Sequence, residues 1–193
     1  SPRARQAFND DIHGTAVAGV IAALANNGQG IVGVAPDARL YALRACWPVA
    51  AGEPGAICNS LSLATALDAA IRLKPRIINL SLTGPADPLI QSLLVAALAR
   101  QIVVVIAEPP AGERSAGFIK GLDEVIRVRM AGQSDAGATP GRVVFAPGTD
   151  VLTTFPHEPH GLGLLMAEPL FPVPIEIFSA EPDYHDFIAG EVL

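Results

Sequence analysis

Basic residues are scarce in this chain: 13 Lys and Arg stand against 19 Asp and Glu, a formal net charge of −6 at pH 7. That balance excludes the basic face with which a protein holds nucleic-acid phosphates. Charge of either sign is sparse, 17% of 193 residues, while 50% are hydrophobic. A disordered chain has the opposite composition, so a folded domain with a real core is expected. Long apolar runs are missing as well. None reaches the roughly 18 residues of a membrane-spanning helix. The longest, residues 17–25 and 102–107, read as a buried helix and a buried strand. No signal-like stretch opens the sequence, where residues 1–5 lead into polar ones, and no internal repeat is visible. Cysteine is limited to Cys46 and Cys58, with a loop-like, Pro- and Gly-containing stretch between them. A disulfide closing that loop is geometrically reasonable and would contribute about 3 kcal/mol. Two buried thiols in a reducing compartment are the alternative, and a metal site would need further ligands.

What is present alternates between helix and strand. Asp10 and Asp11 stand where an N-cap and an acidic first turn belong, ahead of an apolar helix over 13–25. Residues 40–45 read as a short strand, and 61–73 carry apolar residues at helical spacing. A strand over 77–82, continuous and apolar, fits a sheet covered on both faces. A helix over 88–100 and strands over 102–107, 125–128, 143–146 and 151–155 follow. Strands alternating with helices of this length imply βαβ units and a mostly parallel sheet flanked by helices, an α/β fold. In such sheets ligands bind beyond the carboxyl ends of the strands. The whole chain reads as one domain, with the proline-rich stretch 157–182 as a surface insertion.

Several segments carry a resemblance when taken in order: HGTAVAG at 13–19, GVAP at 33–36 followed by 40–45, INLSLTGP at 78–85, the strand over 103–107, and APG at 146–148 with 151–156. Together they resemble the subtilase family of serine peptidases. The resemblance implies a subtilisin-like fold, incomplete at both ends relative to the family, and no cofactor. His13 then matches the family's general base, where an isolated histidine would read as a helix cap. Ser81, Leu82, Thr83 and Gly84 match the strand that pairs with a peptide backbone, a contact that needs no nucleophile.

Serine peptidase chemistry needs a hydroxyl, an imidazole to take its proton, a carboxylate to orient the imidazole, and donors for the oxyanion. Only the imidazole is evident. The orienting aspartate is absent, since Asp10 and Asp11 lie too close to His13 and read as capping residues, with a makeshift partner as the lesser reading. The segment 186–193 is similar to the family's nucleophile segment, but Val192 stands at the serine position and has no hydroxyl. In a relative, loss of that serine costs on the order of 10⁶ in kcat. Ser115 and Ser179 are substitutes only if the alignment is displaced, and both otherwise read as loop residues. At the oxyanion position stands Pro110, which has no N–H to donate. His157, His160 and His185 read as solvated loop histidines rather than metal ligands, Trp47 reads as loop packing, and no carboxylate cluster marks a calcium site.

The sequence therefore predicts a subtilisin-like serine peptidase homologue that is inactive as this chain and binds a peptide or protein segment in a strand-pairing groove. It would have a further segment or partner chain over the sheet and an extracytoplasmic location. Neither nucleic acid nor membrane is an expected partner. The alternative is an active serine endopeptidase whose missing triad members are misaligned here or lie outside this chain. A third reading, a remnant without function, predicts no cooperative fold.

Overall fold

The computed structural model describes residues 11–28, 30–48, 56–108, 117–132, 141–148, 151–154, 162–164 and 186–192. The elements are α1 (Ile12–Ala22), β1 (Trp47–Pro48), β2 (Ala56–Asn59), α2 (Ser60–Leu73), β3 (Ile77–Thr83), α3 (Pro88–Leu98), β4 (Val103–Ala107), β5 (Ile126–Met130), β6 (Arg142–Ala146), β7 (Leu152–Thr154), β8 (Leu162–Leu164) and β9 (Asp186–Val192). A single turn of 3-10 helix, Gly117–Ile119, precedes β5.

Local chemistry sets the helix starts. Asn59 accepts from the Ser62 backbone N–H at 2.8 Å, and the Ser62 hydroxyl caps the Asn59 N–H in return, so α2 opens on a reciprocal capping box. Asp87 accepts from the N–H groups of Leu89 and Ile90, with Pro88 in the first turn of α3, where a missing N–H costs nothing. Lys74 ends α2 in the left-handed conformation.

β3, β4, β5 and β6 are parallel neighbours, as expected, and β3-α3-β4 is a βαβ unit. In β3 the residues Ile78, Leu80 and Leu82 are buried, while Asn79, Ser81 and Thr83 between them are partly covered. The buried set joins Leu63, Leu67 and Ile71 of α2 and Ile90, Leu94 and Ala97 of α3 in one core. Asn79 and Ser81 belong to the opposite face, with α1. The helical layers thus cover both faces.

One expectation is corrected here. The stretch 40–45 is not a strand: only Leu43 makes an isolated bridge, and the strands of this region are β1 and β2, on either side of the cysteine loop. The sheet order is β1-β2-β9-β3-β4-β5-β6, so β9 lies between β2 and β3, antiparallel to both. It supplies the ladder on that edge of β3. The proposed insertion 157–182 lies outside the described residues except for β8, which pairs antiparallel with β7. Cys46 and Cys58 are joined in a disulfide, and both are buried in the core.

Candidate active site

α1 carries His13 one residue into the helix, just after Ile12. The glycines of its HGTAVAG run have a packing role. At Gly19 a Cβ would stand 2.2 Å from Thr154 Oγ1, so only glycine lets β7 approach the helix. The Thr154 hydroxyl donates to the Thr15 carbonyl at 2.8 Å, and the Thr153 hydroxyl donates to the Ala16 carbonyl. β7 is thereby strapped to the first turns of α1. At the other end, N–H groups of Gly33, Val34 and Ala35 donate to the carbonyls of Ala23, Val20 and Ile21 at 2.8–2.9 Å, closing the last turn.

These contacts hold His13 against the end of β3. The imidazole hydrogen-bonds the backbone of Ser81, and burial nonetheless lowers its pKa below the usual 6.5, with desolvation the larger effect and the Ser81 bond opposing it. A backbone group that favours the protonated ring is a carbonyl. Nε2 is buried and has no hydrogen-bond partner among the described residues, so it is Nδ1 that donates to Ser81. At neutral pH the ring is therefore neutral and presents an acceptor lone pair on Nε2.

Among the described residues no carboxylate orients the imidazole. Asp11 occupies the N-cap position of α1 yet makes no side-chain cap. Its carboxylate accepts from Arg44 at 2.8 Å instead, a correction of its expected capping role. An arginine within reach outcompetes a backbone N–H for a buried carboxylate because the pair neutralises both charges. Glu108, directly after β4, accepts from Arg129 Nε at 3.1 Å, and both side chains are buried. Asp10 lies outside the described residues, as do Pro110, Ser115, Ser179, His157, His160 and His185.

The expected peptide-pairing residues are placed at the end of β3. Leu82 pairs with Ala189 and Thr83 with Ile188, so β9 already runs along this edge, with an irregularity in register between Leu80 and Leu82. The Gly84 carbonyl accepts the Gly117 N–H at 2.8 Å. Val192 pairs with Leu80 within β9. The segment similar to the family's nucleophile segment is a strand here, and its backbone gains a ladder with β2 and β3.

A cleft of about 250 Å³ opens between α1 and the carboxyl ends of β3 to β6, lined by His13, Val17, Val20, Ser81, Arg129 and Met130 among others. The Glu108–Arg129 pair at this cleft escaped the sequence reading. Its available signal was β5 itself, IRVRM, whose arginines sit in an otherwise apolar strand. Among the described residues no group of three or more His, Cys, Asp or Glu could hold a metal ion, so calcium has no evident cage there.

The family model described as Peptidase_S8, subtilase family, matches residues 2–123. The chain belongs to the subtilase family. It is 34% identical over 156 residues to subtilisin DY of Bacillus licheniformis, a match covering 75% of this chain and 54% of that protein. Against subtilisin BL of Lederbergia lenta it is 34% identical over 150 residues, covering 75% and 53%. The chain thus spans about half the length of the curated relatives it matches. Among solved structures, sphericase superposes with a TM-score of 0.60 at 26% identity, covering 80% of this chain and 57% of that one. Fervidolysin from Fervidobacterium pennivorans does so with a TM-score of 0.58 at 24% identity, covering 94% and 27%. The fold is therefore subtilisin-like, and the chain represents part of it.

Proposed function

We propose that this subtilase homologue, as a 193-residue chain, does not hydrolyse peptide bonds and instead binds extended peptide or protein segments. The observation that carries the first half is the unpartnered Nε2 of His13: the nitrogen that would take a proton from a nucleophile faces no hydroxyl or thiol among the described residues. Asp11 and Glu108, the nearby candidates for an orienting carboxylate, each hold an arginine. Supporting the second half is β9, which pairs antiparallel with Leu82 and Thr83, the geometry an incoming peptide would adopt. A peptide bound there exchanges with β9. The disulfide and the family favour an extracytoplasmic location. Among the described residues no helix is long and apolar enough to cross a membrane.

A second reading has an observation of its own. His13 is held neutral with Nδ1 fixed, as a general base requires, and the chain spans about half of its relatives. Triad members contributed from outside this chain would then restore an active endopeptidase. One experiment separates the two. The chain is incubated with a fluorophosphonate and its intact mass measured, and fluorescein-labelled β-casein is followed for cleavage and for anisotropy. No adduct, intact casein and saturable binding are expected. A stoichiometric adduct, with casein cleavage abolished by His13→Ala, would establish the endopeptidase reading instead. The absence of both adduct and binding would refute the binding reading and any endopeptidase whose nucleophile lies within this chain.

A further inference from the structure

Asparagines at four described positions sit in different settings. Asn59 accepts from the Ser62 N–H at 2.8 Å as the cap of α2, and Asn79 of β3 donates to the Ser81 hydroxyl at 2.9 Å. Both side chains are thus bonded at regular elements. Asn26 and Asn27 belong instead to the turn the chain makes after leaving α1, and with Gly28 they are exposed.

Asn27 alone among the chain's asparagines precedes a glycine. Asparagine is thermolabile because the backbone nitrogen of the next residue attacks its side-chain amide, and a Cβ on that next residue obstructs the approach. Gly28 has no Cβ, and nothing stands within 4 Å of where one would be. Its φ is +70°, and Asn26 and Gly30 have φ of +58° and +59°, so left-handed residues alternate along the turn and no regular ladder fixes its peptide planes. Among the described residues the Gly28 N–H donates to no backbone carbonyl.

We infer that Asn27 is a site of spontaneous deamidation in the folded chain, and that the reaction loosens the end of α1. The Gly28 nitrogen gives up its proton to solvent base and bonds to Cγ of Asn27. The Cγ–Nδ2 bond breaks, and the nitrogen takes a proton from water and leaves as ammonia. A further water then opens the succinimide at either carbonyl and leaves aspartate or isoaspartate. Overall, water is consumed and ammonia released. Isoaspartate routes the backbone through the side chain and so adds a carbon to the link between α1 and Gly33. That link aims the N–H groups of Gly33, Val34 and Ala35 at the carbonyls of Ala23, Val20 and Ile21.

The test holds the full chain at mildly alkaline pH beside the free peptide LANNGQGIV, residues 24–32. Both are mapped by mass spectrometry with electron-transfer fragmentation, which separates isoaspartate from aspartate. Asn27 is expected to convert in the folded chain at a rate close to that in the peptide, with Asn59 and Asn79 unchanged. A rate that high does not arise through rare global unfolding. Chain converted at Asn27 is expected to exchange the Val34 and Ala35 amides faster than fresh chain, and Asn27→Gln held under the same conditions is expected to keep the slow exchange. Conversion of the peptide with Asn27 of the folded chain left intact would overturn the site. Exchange as slow in the converted chain as in the fresh one would overturn its effect on α1.

Discussion

His13 has its imidazole removed from water at one end of a mostly apolar cleft, and this ties its protonation to the folding equilibrium. Burial lowers its pKa from the ordinary 6.5, so between the two values the unfolded chain binds a proton that the folded chain does not. Stability rises with pH wherever the unfolded state holds more protons. The contribution is therefore complete above about pH 6.5 and is lost as the pH falls from there through the folded-state value. Urea unfolding at pH 8 and pH 5 is expected to show the wild type less stable at the lower pH by more than carboxylate titration accounts for. His13→Gln, which cannot take up the proton, is expected to show a smaller drop. Equal drops in both proteins would count against burial of a neutral ring. Much of this residue's setting was readable from HGTAVAG, because the family resemblance assigns it a place. The arginine partners of Asp11 and Glu108 were not, since Arg44 lies 33 positions and Arg129 lies 21 positions away in sequence.

The elements show why short motifs carry so much. The GVA run at 33–35 looks like an ordinary loop, yet its three N–H groups satisfy the last carbonyls of α1. The chain reaches those carbonyls only because Gly33 has no side chain: a Cβ there would lie 2.5 Å from the Ala23 backbone nitrogen. Backbone cannot yield as a flexible side chain can. Gly33→Ala is expected to destabilise the protein by about 1–3 kcal/mol, the usual cost of overpacking, seen as a lower urea midpoint with the slope unchanged. Amide exchange at Val34 and Ala35 should accelerate in the same variant. Helix and strand types along the chain were legible from periodicity, and α2, β3, α3, β4, β5 and β6 form within a few residues of their expected bounds. The failure falls on a strand. Residues 40–45 had the composition of a strand, but only Leu43 makes a bridge, and a strand exists only by pairing. The pairing of residues 186–192 with β2 and β3 joins segments far apart in sequence, on which local pattern is silent.

At the scale of the molecule, the sheet joins a parallel and an antiparallel part. β3 to β6 form a parallel unit, with α3 the crossover between β3 and β4, whereas β1, β2 and β9 are antiparallel strands on one side. The disulfide Cys46–Cys58 closes the loop between β1 and β2, and β2 is one of the two strands against which β9 pairs. Reduction is expected to cost about 3 kcal/mol on the loop-entropy account. It should also loosen β2 and β9 before the α2–α3 core. Hydrogen exchange with and without dithiothreitol checks both. Uniform loosening across the sheet would show instead that the whole domain unfolds as one unit.

By itself the sequence determined the class of fold, the helices and parallel strands, the family and the place of His13, because periodicity, capping and short motifs are local or rest on runs of adjacent residues. It also determined that no hydroxyl stands at Val192, which is a matter of composition. Only the tertiary structure decided which strand lies beside β3, which arginines claim the acidic side chains near the site, and that an apolar cleft opens beside α1. Each of those depends on distant segments competing for one edge, one charge or one volume. Such a competition is settled by the packing of the whole chain rather than by any stretch of it.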